Sequence, residues 1–281
     1  MLRSDFNAQD YISECALKSK EAIDLAGVCI AMIHHDHDGL SVDRYFNHVT
    51  KISNEVGRRF KELIKAGSED DCGTRLAALK YVISDIHDYQ VDSDHYEILE
   101  GADIIRVIDR GRGCSTAVSV LYMDAARKQG WNIEGLNLPA RFLCRLEFQG
   151  ERLIFDPSLS CRVMEAHNLR ALVKQALGDG AELSTEYLRG LDVRETAVHL
   201  CNHIKHRRIE MGEYKRALSL IDKMMVLAPD EYRLLLDAGV LLVRTGNYSR
   251  ARECLEAYIE TAPSEFDKQD ALMLLSDLPE G

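Results

Sequence analysis

A repeat near the C-terminal end restricts the fold more than any other feature. "MGEYKRALSLIDKMMVLAP" (211–229) superposes on "TGNYSRARECLEAYIETAP" (245–263) at a shift of 34 residues. Gly212 falls on Gly246, Tyr214 on Tyr248, Ala217 on Ala251 and Pro229 on Pro263. A period of that length is one helical hairpin, which cannot bury its apolar face alone and must stack on a neighbour. Small Gly and Ala residues would let paired helices approach, Tyr would fill the groove between them, and Pro would close the second helix. "FDKQDALMLLSDL" (266–278) reads as a capping helix. Two repeats are a short array, so they should lean on the rest of the chain.

The remaining two thirds read as helices followed by a hairpin module. Residues 8–34 repeat apolar positions at helical spacing, broken by "HHDHDGLS", after which Ser41 is a candidate cap for a second helix. "TRLAALKYVISDIHDY" predicts a third helix, "GADIIRVIDRGRG" a short fourth, and "STAVSVLYMDAARKQG" a fifth that stops at Gly130. "NIEGLNL", "RFLCRLEF" and "ERLIFDP" then read as strands, the last two joined by a turn at "QGE". Of 281 residues, 46% are hydrophobic and the net charge is −11, which disfavours nucleic acid and anionic membrane as general partners. Eight scattered cysteines without a CxxC, and no secretory apolar core at the N-terminus, predict a reduced cytoplasmic protein.

"RGRGCSTAVSV" carries the chemistry worth testing. A Gly-bearing loop delivers Cys114 to a helix start, where the dipole and free N–H groups would lower a thiol pKa, with Arg110 and Arg112 pushing the same way. A nucleophile also needs a base within hydrogen-bond reach, itself oriented by a carboxylate or amide.

The repeat carries the tetratricopeptide signature. Residues 23–161 resemble the SirB-type transglutaminase-like proteins, bacterial chains joining a degenerate transglutaminase-like domain to tetratricopeptide repeats. The resemblance rests on "IDLAGVCIAMIHHD", "VIDRGRGCSTAVSVLYMDAARKQGW", "IEGLNLPARFLCRL" and "LIFDPS", in family order. It implies an α+β protein: a helical N-terminal region, a core with a small antiparallel sheet, and an all-α repeat tail. Residues 1–190 would form the transglutaminase-like domain and 191–281 the repeat domain. The family writes its post-strand motif Pro-Gly-His-Phe, whereas this chain reads Pro139-Ala140-Arg141-Phe142. Arg141 thus stands at the general-base position, and a guanidinium cannot accept a proton at useful pH. Alignment back from Gly130 puts Ser115, rather than Cys114, at the nucleophile position. Asp156 matches the orienting acid and, beside Arg141, would form a bidentate ion pair.

Other clusters support blander readings. "HHDHD" (34–38) has ligand chemistry but lacks the second half of a coordination sphere. His199, His203 and His206 share one face of the first repeat helix, where a polar concave surface is expected, and "KHRR" (205–208) reads as a solvated charge cluster. Arg110, Arg112 and Arg141 behind Ser115 would make at most a weak anion site.

These readings converge on a non-catalytic protein-binding or regulatory protein. It would need no cofactor or metal, and would hold a protein or peptide through Asn202, Lys205, Tyr214 and Tyr248. The alternative is a thiol enzyme of the transglutaminase or cysteine-protease class, with Cys114 as nucleophile and His95 or His167 as base.

Overall fold

The protein is described by a computed structural model covering residues 6–37, 39–92, 99–139 and 141–279. The apolar period over 8–34 gives two helices rather than one. α1 (Ala8–Ala16) ends, and α2 (Leu25–Ile33) starts afresh after Asp24, whose carboxylate accepts the Gly27 N–H. All nine residues of α2 are buried, so it crosses the interior. α3 (Asp43–Lys65) is a 23-residue amphipathic helix, and Ser41 does not cap it: the N-cap is Val42, with no side-chain bond. Asp71 caps α4 (Cys72–Lys80), which runs into a π-helical turn at Tyr81–Ile86. After the short strand β1 (Gln90–Val91), "GADIIRVIDR" divides into α5 (Leu99–Ala102) and α6 (Ile104–Arg110), with Asp103 capping the second. β2 (Arg112–Gly113) pairs in parallel with β1 and leads into α7 (Ser115–Lys128).

α7 is the centre of the molecule, with every residue from Ser115 to Ala126 buried. Its Ala, Ser and Thr positions leave room for neighbours on all sides. One neighbour is an antiparallel sheet of β3 (Asn132–Leu138), β4 (Arg141–Phe148), β5 (Glu151–Asp156), β6 (Arg162–Val163) and β7 (Gly190–Leu191), in the order β6-β5-β4-β3-β7. Gln149 and Gly150, both at positive φ, make the tight turn between β4 and β5. Alternation sorts the two faces. Ile133, Phe142, Cys144, Leu146 and Phe155 join the core around α7, with Phe155 edge-on to Tyr122 at 5.8 Å. Leu136, Leu138 and Leu143 point the other way, onto Leu169 and Val173 of α8 (Ala166–Leu177).

The C-terminal helices are α9 (Val193–Glu210), α10 (Tyr214–Leu227), α11 (Arg233–Arg244), α12 (Tyr248–Thr261) and the cap α13 (Glu265–Ser276). α9 packs against α2, α5 and α7 as well as α10, and α1 lies on α10. One apolar cluster therefore runs from Ile12 to Leu278.

The repeat glycines have a different role from the one the alignment suggests. Gly212 and Gly246 sit at the helix-to-helix turns with φ near +75° (74° and 77°), and nothing lies within 4 Å of where a Cβ would stand. Backbone conformation, not close approach, selects them. Close approach selects Gly239 of α11 instead, where a Cβ would come within 2.7 Å of Leu255. Gly212→Ala is expected to cost about 1 kcal/mol through φ strain, and Gly239→Val about 2–3 kcal/mol through overpacking. Urea denaturation curves with unchanged slope would check both.

Candidate functional site

Cys114 is the N-cap residue of α7, in extended conformation, with its N–H donated to Gly101 O at 2.7 Å. Gly113 allows this close seating: a Cβ there would stand 2.5 Å from Val107 and 2.9 Å from Gly101 O. The consequence is burial, with Cys114 only 1% exposed. Desolvation pushes its thiol up to about 11, outweighing the helix-start N–H groups of Thr116 and Ala117 that pull it down. At pH 7 that leaves about one thiolate in ten thousand. The expected activation by arginines is also missing. Arg110 pairs with Glu100 at 2.7 Å, and the Arg112 side chain is exposed.

Arg141 and Asp156 do meet, but through one nitrogen at 3.1 Å rather than a bidentate fork. The same Arg141 nitrogen donates to Ser158 Oγ at 2.7 Å. Asp156 is fully buried, and its other oxygen accepts the Ser158 N–H at 2.8 Å and the Ser158 hydroxyl at 2.6 Å, capping the turn Pro157–Leu159. Along β4, Phe142 and Cys144 face α7, so Arg141 shares the opposite face with Leu143, over α8.

One of the two base candidates from the sequence can be placed, and it is far from a catalytic setting. His167 is exposed on α8 beside Glu165, and His95 lies outside the described residues. A different histidine, His203, meets the first turn of α7, with Nε2 3.4 Å from Thr116 Oγ1. His199 stacks on Phe142 at 5.3 Å and meets the His203 ring edge-on at 5.1 Å. Burial holds both rings neutral at pH 7, lowering His199 to about 4. The three-histidine face is thus split: His199 and His203 are partly buried against Phe142 and Thr116, and His206 is exposed. Thr116 with His203 has the composition of a hydroxyl–base pair, but Thr116 is 1% exposed and no substrate carbonyl can approach it. Sequence reasoning missed this pairing because its members are 87 residues apart, on different predicted units.

The remaining clusters are internal fastenings. In "HHDHD", His34 bonds Leu40 O, His35 meets the Lys223 ammonium at 2.5 Å, Asp36 pairs with Arg208, and His37 bonds Asp103 at 2.7 Å; Asp38 lies outside the described residues. Lys223 also donates to Met32 O at 2.9 Å. Among the described residues, no group of three His, Cys, Asp or Glu side chains is placed to hold a metal ion. "KHRR" is not a solvated cluster, since Lys205 is 3% and Arg208 2% exposed. The Lys205 ammonium is held by Asn202 Oδ1 at 2.7 Å and Asp237 at 2.5 Å, so two of the four expected partner-binding residues are tied to each other. Tyr214 accepts from Arg244 at 3.4 Å beside an open cleft, and Tyr248 is exposed.

Comparison with known proteins matches residues 43–202 to the Transglutaminase-like superfamily and residues 204–278 to the Tetratricopeptide repeat. The chain belongs to the transglutaminase-like superfamily. A "UPF0162 protein" of Xylella fastidiosa (strain 9a5c) is 25% identical over 194 residues, covering 68% of this chain and 69% of the relative. One of Vibrio cholerae is 23% identical over 212 residues, 75% of this chain and 78% of the relative. No solved structure matches. The transglutaminase-like and repeat matches meet inside α9, the helix that serves both packing layers.

His199 gives this transglutaminase-like core an acid weakness. Its folded pKa lies below the unfolded value, so the unfolded chain takes up the proton first as pH falls. Its contribution is therefore intact above about pH 6.5 and is lost toward pH 4, by about 2–3 kcal/mol. Chemical denaturation at a series of pH values should show this slope in the parent chain and a shallower one in His199→Phe.

Proposed function

We propose that this chain is a non-catalytic protein-binding or regulatory protein, in which a transglutaminase-like domain (1–190) and a repeat domain (191–281) serve together as a scaffold. The observation that carries this reading is the state of Cys114: buried, protonated at neutral pH, and hydrogen-bonded to no histidine among the described residues. A thiol enzyme needs a thiolate that a substrate can touch, and this one is neither ionised nor reachable. Arg141 at the family's base position supports the same reading, since it is committed to Asp156 and Ser158.

The partner is a protein or peptide rather than nucleic acid, in keeping with tetratricopeptide repeats as interaction modules and with a net charge of −11. Asn202 and Lys205 are engaged with each other, so Tyr214 and Tyr248 are the repeat residues left to meet it. No helix among the described residues is long and apolar enough to cross a membrane. Eight free, buried cysteines fit a reducing, cytoplasmic setting.

The test is covalent chemistry on the native chain. Incubated with a primary-amine probe and a glutamine-bearing protein acceptor, it should incorporate no amine. Iodoacetamide should label Cys114 only slowly at pH 7, with the rate rising through alkaline pH. Amine incorporation or peptide cleavage that Cys114→Ala abolishes would overturn the proposal.

A further inference from the structure

The helix-to-helix turns of the two repeats enclose a cleft of about 490 Å³, lined by Gly212–Arg216 on one side and Arg244–Thr245 on the other. Several cations of the repeat helices are matched by carboxylates: Lys205 with Asp237, Arg208 with Asp36, Arg207 with Glu210, Arg250 with Asp222. In the cleft, Arg216 shares Glu213 at 3.3 Å, while the exposed side chains of Lys215 and Arg244 meet no carboxylate among the described residues. Two unmatched cations in one concavity, on a chain of net charge −11, form a local positive site.

The cleft also sets a cation beside an aromatic ring. The Arg244 guanidinium lies 5.5 Å from the Tyr214 ring centre and donates to its hydroxyl at 3.4 Å. Its size suits a few side chains rather than a whole helix. It opens at the turn edge of the repeats, whereas His199 and His203 of the first repeat helix are spent on Phe142 and Thr116.

We propose that this cleft is the docking point for an acidic segment of a partner protein. Aspartate or glutamate carboxylates would sit between Lys215 and Arg244, with an adjoining apolar side chain on Tyr214. The proposal rests on the protein-binding reading above and specifies the partner's chemistry. A carboxylate fits better than a lone anion because the aromatic surface rewards the aliphatic stem that carries it.

Fluorescence anisotropy of a labelled oligoglutamate peptide, titrated with the full chain, tests this directly. The peptide should bind at low salt and weaken as salt rises. Lys215→Glu with Arg244→Glu should weaken it by about tenfold or more, while Lys51→Glu on α3 should change little. Lys215→Gln with Arg244→Gln repeats the test without charge reversal and should give a smaller loss in the same direction. Absence of oligoglutamate binding, binding indifferent to both double variants, or tighter binding of oligothymidylate would each overturn the site. Those failures would leave the non-catalytic reading intact, whereas Cys114-dependent turnover would remove that reading whatever the peptide does.

Discussion

Burial of the first turn of α7 links the architecture to the chemistry. The helix start can be surrounded because Ser115, Thr116 and Ala117 are small. Once surrounded by the sheet, α2, α3 and α9, its N-terminus loses the water that a reactive thiol requires. Helix-start amides favour a thiolate at Cys114, but desolvation acts in the opposite direction and is the larger effect. The same closure takes Thr116 out of reach even though His203 stands beside it. On the proposed reading, the frame of an acyl-transfer site persists here as core packing.

α9 makes the short repeat array possible. A pair of tetratricopeptide units has little interior of its own, and this pair borrows one by setting its first helix into the transglutaminase-like core. The junction is fixed by polar contacts as well as apolar ones. Lys223 reaches Met32 O and His35, and Arg208 reaches Asp36, so the turn after α2 is fastened to α9 and α10. Arg208 is buried against Asp36, and removing either one would leave the other's charge uncompensated. Part of the α9 face that a free-standing repeat would offer to a ligand is correspondingly occupied, and the turn edge near Tyr214 is open.

Much of this was legible in the sequence, and the exceptions have common causes. The strands, their tight turn, the helix ending near Gly130 and the 34-residue repeat follow from local pattern, and all appear close to where pattern puts them. The helix start after Asp24 is not visible in the sequence, because a helical apolar period does not reveal that an acid within it caps a new helix. The histidines of α9 and the "KHRR" cluster were misread for a different reason. Their polarity suggests solvent, yet their partners, Phe142, Thr116, Asp36 and Asp237, come from distant segments that no local window contains. Cys114 combines both problems: its position at a helix start is visible in sequence, and its burial is not.

The family position of Arg141 allows the sharpest test. If the missing base were the sole deficit, Arg141→His would restore it beside Asp156. If the helix start is sealed and position 141 faces away from α7, the same substitution should produce no amine incorporation and no peptide cleavage while the chain stays folded by circular dichroism. Turnover gained by Arg141→His and lost again on adding Cys114→Ala would contradict the sealed site.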